Sequence, residues 1–189
     1  MRAIKIKPMR WTVEDLEGLP DNGNRYEIID GALHMTRAPH VDHQDVAGAI
    51  YSELRVWSKQ SGLGRAAFAP GVIFSSTDAV IPDVVWASHE KANLLLDESG
   101  HFTGAPEIVI EVLPQSPKDK ERDKKTKLKL YSNQGVLEYW IFEHRELSLV
   151  EVYRREAGQL VKTMTLNGAD TLTSPILPGF SCSVVALFE

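Results

Sequence analysis

A carboxylate interrupts a short apolar run at residues 107–113, Glu-Ile-Val-Ile-Glu-Val-Leu. The run has the length and composition of a buried strand. Successive side chains of a strand point to opposite faces, so Glu111 projects from the middle of one sheet face. An ionised carboxylate buried there loses its hydration, and a cation or hydrogen-bond donors must compensate. Glu111 therefore indicates a functional site, a structural ion pair, or an edge strand with that face in water.

A second acidic residue begins another short apolar strand. Asp83 follows Pro82 and opens the run 83–87, and proline is tolerated at the start of a strand. If this strand neighbours strand 107–113, the two carboxylates converge at one position of the sheet. Paired carboxylates suit Mg²⁺ or Mn²⁺, and the backbone carbonyl of Val112 is a candidate for a further ligand. Taken alone, Pro82-Asp83 would indicate only an ordinary turn.

A basic segment follows at residues 118–129, with a local charge of +4 in a chain of net charge −5. Such a stripe could hold a phosphate backbone, although charge alone favours a solvated helix face with Lys–Glu and Lys–Asp pairs. The candidates for nucleic-acid binding are Lys118, Lys120, Lys124 and Lys125. Lys127 differs from these lysines, because it shares a helix face with Tyr131 where the helix turns inward. Beside a metal-carboxylate centre, a lysine can orient the attacking water or stabilise developing phosphorane charge.

The remaining patterns predict an α/β or α+β domain with a mixed sheet. Thr12 and Asp15 begin a short helix, and Asp30-Gly31 is the turn of a hairpin. A helix over 42–60 carries one apolar stripe, formed by Val46, Ile50, Leu54 and Trp57. The other predicted elements are strands over 66–74, 138–143, 147–153 and 159–165, a turn over 143–146, a helix over 118–134 closed by Gly135, and an apolar segment over 182–188.

Size and composition indicate one cytoplasmic domain over residues 1–189. The single cysteine, Cys182, excludes an internal disulfide framework and fits a reducing compartment. The N-terminal segment has no apolar core typical of a secretory signal, and no apolar run has the length of a membrane span. We therefore expect no membrane partner.

The sequence contains a set of short motifs in a fixed order and with characteristic spacing. They are Thr12-Val-Glu-Asp-Leu16, Tyr26-Glu-Ile-Ile-Asp-Gly31, His43-Gln44, Pro82-Asp83, Pro106-Glu-Ile-Val-Ile-Glu111-Val-Leu113, Arg122-Asp123-x-x-x-Lys127-x-x-x-Tyr131 and Gly135-Val-Leu-Glu-Tyr-Trp140. Over about residues 11–155, this set resembles the Uma2 family of restriction endonucleases, within the PD-(D/E)XK nuclease superfamily. Two positions depart from the family pattern: Pro114 stands where serine is usual, and Glu143 stands where aspartate is common.

The resemblance implies a restriction-endonuclease-like core, a central mixed β-sheet flanked by helices, with additional N- and C-terminal strands. It also implies phosphodiester hydrolysis assisted by Mg²⁺ or Mn²⁺, with Asp83 and Glu111 as metal ligands and Lys127 as the catalytic lysine. The superfamily usually places this lysine two residues after the glutamate, but Leu113 occupies that position. Lys127 on the next helix is the best match, ahead of Lys129 and Lys124.

Three further residues in matching segments are expected to support the site. Glu27 could reach a metal or its water, and Tyr131 accompanies Lys127 on the helix face. His43 could contact phosphate or transfer a proton, and it is equally typical of an ordinary residue in the first turn of a helix.

Three functions compete for such a chain. The first is a metal-dependent nuclease acting on nucleic acid, with DNA the favoured substrate, working as a homodimer if it cuts both strands. The second is a non-catalytic nucleic-acid-binding or protein-interaction module that retains the nuclease fold. The third is a structural α/β protein whose acidic surface binds other proteins. Asp83, Glu111 and Lys127 favour the enzyme, since a binding module has no need of a carboxylate inside an apolar strand.

Overall fold

A computed structural model describes residues 9–144 and 148–189 of the chain. The helical segments are α1 (Val13–Leu16), α2 (Val41–Ser61), α3 (His89–Leu95), α4 (Pro117–Glu121), a π-helical segment (Arg122–Lys127), α5 (Leu128–Gln134) and a 3-10 turn (Val185–Leu187). The strands are β1 (Arg25–Ile29), β2 (Ala32–Thr36), β3 (Gly64–Phe68), β4 (Val72–Ser75), β5 (Asp78–Val80), β6 (Val84–Ser88), β7 (Ile108–Val112), β8 (Glu138–Glu143), β9 (Leu149–Glu156), β10 (Gln159–Leu166), β11 (Thr171–Thr173) and β12 (Ser181–Ser183). The predicted turn over 143–146 and the predicted strand start at Leu147 fall partly outside the described residues.

Six strands form the main sheet, in the order β10-β9-β8-β7-β6-β3. β7 and β8 run parallel and the other neighbours run antiparallel, so the sheet is mixed. A second, antiparallel sheet has the order β2-β1-β5-β4, and β11 pairs with β12. The predicted fold class, a mixed α/β arrangement with additional N- and C-terminal strands, is confirmed.

β7 lies inside the main sheet and is buried on both faces. Ile110 and Val112 pack against α2, whereas Val109 and Leu113 pack against α5, as the two-residue period predicts. Glu111 lies on the α5 side and is 3% exposed. The edge-strand alternative for Glu111 is therefore wrong, and its charge must be compensated inside the fold.

The helix predicted over residues 42–60 covers the other face of the main sheet. It spans Val41–Ser61 and ends at Gly62, whose φ of 67° is a left-handed conformation that glycine adopts without strain. The predicted stripe packs on the sheet through buried Val46, Ile50 and Leu54, with Trp57 partly buried beside them. None of the described helices is long and apolar enough to cross a membrane.

The basic helix predicted over residues 118–134 is present, but it is not a continuous α-helix. A π-helical segment, Arg122–Lys127, separates α4 from α5. In an α-helix, side chains four residues apart are rotated about 40° beyond one full turn. In the wider π-helix, four residues rotate by less than one full turn. The combination keeps Asp123, Lys127 and Tyr131 buried on one face. The sequence pattern does not predict this segment, because the four-residue spacing suits both kinds of helix.

The single strand predicted over residues 66–74 is wrong. The chain there forms β3 and β4, which belong to different sheets. Ala69 adopts a φ of 47°, and Pro70 has no N–H with which to continue a strand ladder, so the chain turns between the two strands. The apolar composition of this segment predicts a strand but does not predict the turn within it. The sequence patterns also do not predict β5 or α3.

The hairpin predicted around Asp30-Gly31 is confirmed and belongs to the second sheet. β1 pairs with β2, and the φ angles of Asp30 and Gly31 are 51° and 73°, as a two-residue turn with both angles positive requires. Thr12 also begins α1 as predicted, and its backbone N–H donates to the Asp15 carboxylate at 2.7 Å. The second sheet brings β1 to the end of the main sheet from which Asp83 projects, since the Glu27 side chain accepts the Ile81 N–H.

Replacing Leu54 with alanine should lower the free energy of unfolding by about 2–5 kcal/mol, because it removes a fully buried side chain from the contact between α2 and the sheet. Val56, on the same helix, is 51% exposed and provides the matched control. Val56→Ala should change the free energy of unfolding by less than about 0.5 kcal/mol. Urea unfolding measures both changes, and equal effects would show that α2 does not cover the sheet through Leu54.

Candidate active site

Asp83 and Glu111 lie at the same end of two neighbouring strands. Val84 pairs with Ile110 in the antiparallel contact between β6 and β7, so Asp83, just before β6, lies beside the end of β7. The Oδ2 atom of Asp83 accepts the backbone N–H of Val112 at 2.9 Å. Both carboxylates line one cavity and are at most 5% exposed. The predicted convergence of the two strands is confirmed.

Lys127 reaches this end of the sheet from the π-helical segment and is 2% exposed. Its Nζ atom lies 2.8 Å from Oε1 of Glu111 and 2.9 Å from Oε1 of Glu27. A third carboxylate, Asp123, lies 3.7 Å away. The ammonium therefore points at Glu111, as predicted, but its second close partner is Glu27 rather than Asp83.

Glu27 and Tyr131 complete the contacts of this lysine and of Glu111. Glu27 lies on β1, and its Oε1 also accepts the backbone N–H of Ile81 at 2.9 Å. The Tyr131 hydroxyl donates to Oε1 of Glu111 at 2.8 Å. Burial and Glu111 raise the pKa of Tyr131 far above its ordinary value, so the phenol keeps the proton that it donates. The structure thus brings both residues, predicted as supporting, into the site.

His43 also contacts Asp83. Its Nε2 atom lies 3.2 Å from Oδ2 of Asp83, and its side chain is 9% exposed. The other ring nitrogen, Nδ1, is buried and has no hydrogen-bond partner among the described residues. The His144 ring lies edge-on at a centroid distance of 6.3 Å. Both histidines line the cavity.

The sequence analysis missed Asp123 and Arg122 as site residues. Asp123 is 2% exposed and contacts Lys127, while Arg122 bonds Asp123 at 3.2 Å and Asp119 at 3.0 Å. Both residues stand in the Arg-Asp-x-x-x-Lys motif. The usable signal is the four-residue spacing of Asp123, Lys127 and Tyr131, which places an acidic side chain on the same inward face.

The carboxylates of this cluster outnumber the cations that contact them. Burial raises the pKa of Glu111 to about 8. Lys127 opposes this shift, and the carboxylates of Asp123, Asp83 and Glu27 add to it. Burial also raises the pKa of Asp123, against the effect of Lys127 and Arg122. The pKa values of Glu111 and Asp123 therefore both lie above the ordinary values of these side chains.

The other two acids are held ionised. Burial acts to raise the pKa of Glu27, but Lys127 and the Ile81 N–H lower it further than burial raises it. In Asp83 the effect of burial is likewise outweighed, here by His43 and the Val112 N–H. The pKa of Lys127 is raised by Glu111, Glu27 and Asp123 despite its burial, so its amine remains protonated.

The donor atoms of the site suit a hard divalent cation. Both donors to Glu111 contact Oε1, and no hydrogen bond from the described residues reaches Oε2. Oδ1 of Asp83 has one long contact, 3.4 Å to Arg25. Carboxylate oxygens of this kind are the ligands that Mg²⁺ and Mn²⁺ prefer. Within the described residues, however, no three histidine, cysteine or acidic side chains are already spaced to hold a metal.

The four lysines predicted to bind nucleic acid lie outside this cavity. Lys120 is paired with Glu143 at 3.0 Å, Lys124 with Glu151 at 3.5 Å, and Lys125 with Glu121 at 2.8 Å. Lys118 is exposed. The Lys120 side chain is 21% exposed, and its partner Glu143 is 9% exposed. A role of the four lysines in nucleic-acid binding stays a prediction.

Replacing Glu111 with glutamine should stabilise the metal-free protein, and more so at high pH. The folded-state pKa of Glu111, about 8, lies above the ordinary value of 4.5, so the native protein loses stability as the pH rises between these values. Glutamine cannot ionise and escapes this loss. Thermal melts in EDTA at about pH 5 and about pH 9 should show the advantage of the variant growing with pH.

Glu151→Gln is the control for this pH dependence. Hydrogen bonds and nearby lysines lower the pKa of Glu151 from 4.5 despite its partial burial, so this carboxylate is ionised at both pH values and its replacement should cost about the same stability at pH 5 as at pH 9. If the melting temperature of Glu111→Gln differs from that of the wild type equally at both pH values, the pKa of Glu111 is not raised.

Comparison with known proteins places this geometry in a family. The sequence matches the Uma2 family, described as "Putative restriction endonuclease", over residues 13–185. A crystal structure described as "a putative nuclease belonging to DUF820" from Anabaena variabilis has a TM-score of 0.76 at 20% identity, and the match covers 94% of this chain and 97% of that chain. At this identity the likeness shows the fold alone, and no curated protein matches the sequence. Since the family match spans most of the chain, the protein belongs to the Uma2 family.

Proposed function

We propose that the protein is a metal-dependent nuclease that hydrolyses phosphodiester bonds, with DNA as its substrate. The observation that carries this proposal is one cavity of about 840 Å³, in which Asp83, Glu111 and Lys127 lie together. Phosphodiester hydrolysis uses carboxylates that hold a hard cation and a positive side chain beside the reacting phosphate. The description of the Uma2 family supports the same class of enzyme.

Asp83 and Glu111 would hold the metal through their side chains, and Val112 through its backbone carbonyl. When bound, Mg²⁺ or Mn²⁺ would lower the pKa of a water molecule and stabilise charge on the phosphoryl oxygens. The Val112 N–H and His43 orient the Asp83 carboxylate, and Tyr131 orients that of Glu111. These contacts leave Oε2 of Glu111 available for the ion.

Lys127 supplies the fixed positive charge of the site. Leu113, where the superfamily usually has its lysine, is fully buried among apolar side chains on the face that carries Glu111. The helix over the same face brings Lys127 to within 2.8 Å of Glu111 instead. A protonated amine held there can stabilise the charge that develops on the phosphate oxygens, or orient the attacking water.

Other parts of the proposal concern substrate and assembly. Nucleases that cut both strands of a duplex often work as two-fold dimers, so we propose a homodimer for that activity. A single cysteine, buried and free, is consistent with work in the cytoplasm.

One observation favours the alternative of a non-catalytic module. Lys127 already neutralises part of the charge of Glu27 and Glu111, and the described residues show no preformed metal site. Incubation with supercoiled plasmid, single-stranded DNA and RNA, in Mg²⁺, Mn²⁺ or EDTA, separates the two functions. The nuclease requires cleavage that EDTA abolishes, whereas the module would bind without cleavage.

Asp83→Asn and Glu111→Gln should each abolish cleavage and weaken Mn²⁺ binding at least about tenfold, because each removes a charged ligand. Isothermal titration calorimetry measures the binding, and circular dichroism checks that the variants fold. Glu121→Gln is the control, since this exposed carboxylate pairs with Lys125 outside the cavity. Mn²⁺ binding that is unchanged in both site variants would refute the metal assignment.

Lys127→Gln and Lys127→Ala should lower turnover by about 10²–10³-fold, the range seen when one preorganised charge-stabilising group is lost. Glutamine nearly preserves the length of the side chain and tests the charge, should the alanine variant fail to fold. Lys129→Ala, an exposed position on the next helix, should cut at the wild-type rate. If a folded Lys127→Gln variant also cuts at that rate, the catalytic charge belongs elsewhere.

A further inference from the structure

The cavity is a cleft with two unlike walls. One wall is the segment 35–40, the end of β2 and its connection to α2, and the other includes residues 114–116, which lie between β7 and α4. The floor between them carries the buried carboxylates and Lys127. A phosphodiester strand that reaches the floor must therefore pass between these two connections.

Two arginines lie on the first wall and at its base. Arg25 pairs in register with Thr36, next to Arg37, so both arginines belong to the same end of the β1–β2 hairpin. Arg37 is exposed, lines the cleft, and forms no ion pair with any described residue. The guanidinium of Arg25 has one contact, 3.4 Å to Oδ1 of Asp83. Most of its five N–H donors therefore have no partner among the described residues.

The opposite wall and the basic helix do not provide equivalent cations. Arg122 lines the cleft, but its guanidinium is committed to Asp119 and Asp123. The four lysines predicted to bind nucleic acid lie outside the cleft, and three of them pair with glutamates. A polyanion that approaches the acidic floor would therefore meet the arginines of the β1–β2 hairpin, whose positive charges are not fully paired.

We infer that Arg37, together with Arg25, forms a binding site for the phosphodiester backbone next to the phosphate that is cleaved. This inference rests on the proposed function, and it names the hairpin rather than the basic helix as the primary contact with the substrate. A guanidinium can hold a phosphate through two parallel hydrogen bonds, which fixes the strand as well as attracting it. Arg37 is a binding residue here, not a catalytic one, because it lies at the rim.

The experiment measures binding and cleavage separately. Fluorescence anisotropy of labelled single-stranded and duplex DNA, with Ca²⁺ in place of Mg²⁺, should show that Arg37→Ala raises the Kd about tenfold or more. The slope of log Kd against log salt should fall in magnitude by about one. Arg37→Lys should restore part of the affinity, and steady-state cleavage by Arg37→Ala should show a raised KM with a smaller change in kcat.

Arg65→Ala is the matched control. Arg65 is an exposed arginine on the edge strand β3 and lies outside the cleft, so its loss changes the net charge equally and should leave the Kd unchanged. If Arg37→Ala binds like the wild type, or if Lys118→Ala weakens binding more than Arg37→Ala does, the inference is overturned while wild-type cleavage stands. If the wild type neither binds nor cleaves any nucleic acid, the proposed function fails and the inference fails with it.

Discussion

The buried contact of Lys127 with Glu111 and Glu27 is the interaction on which the other parts of the structure depend. It joins the centre of the main sheet to the second sheet and to the helix that covers both. Charges with side chains 3–4% exposed keep their place only when partners compensate them, and loss of Lys127 would leave the Glu27 carboxylate uncompensated in the interior. The fold is thus organised around a polar cluster that apolar packing alone would not form.

The same cluster of buried charges lowers the stability of the fold at the site that is proposed to be functional. Burial raises the pKa of Glu111, and the neighbouring carboxylates add to this shift against the effect of Lys127. A core selected only for stability would replace Glu111 with an uncharged residue. Proteins tolerate such a cost at functional sites, where the destabilising charge is what a metal or substrate recognises. In the proposed function, the acidic floor would bind the metal, and the two arginines of the hairpin would bind the phosphodiester backbone beside it.

The π-helical segment shows how a local irregularity serves this design. Asp123 and Lys127 lie within it, and Tyr131 lies one turn beyond. In a regular α-helix the four-residue step would carry these side chains progressively around the axis. The wider turn reverses that drift, so a carboxylate, an ammonium group and a phenol all lie on one buried face of the helix. Such segments are frequent at functional sites, and here the physical reason is the alignment of three polar groups on one face.

The sequence by itself determined the central strand, its neighbour and the chemistry between them. The alternation around Glu111, the Pro82-Asp83 strand start, the apolar stripe of α2 and the Asp30-Gly31 turn are local patterns, and local sterics and burial suffice to read them. Only the tertiary structure decided which groups meet. It placed Glu27 rather than Asp83 on the second side of Lys127, paired Lys120 with Glu143, and separated β3 from β4 into different sheets. These outcomes depend on contacts between residues far apart in the chain, and charge pairing at such distances leaves no periodic trace in the sequence.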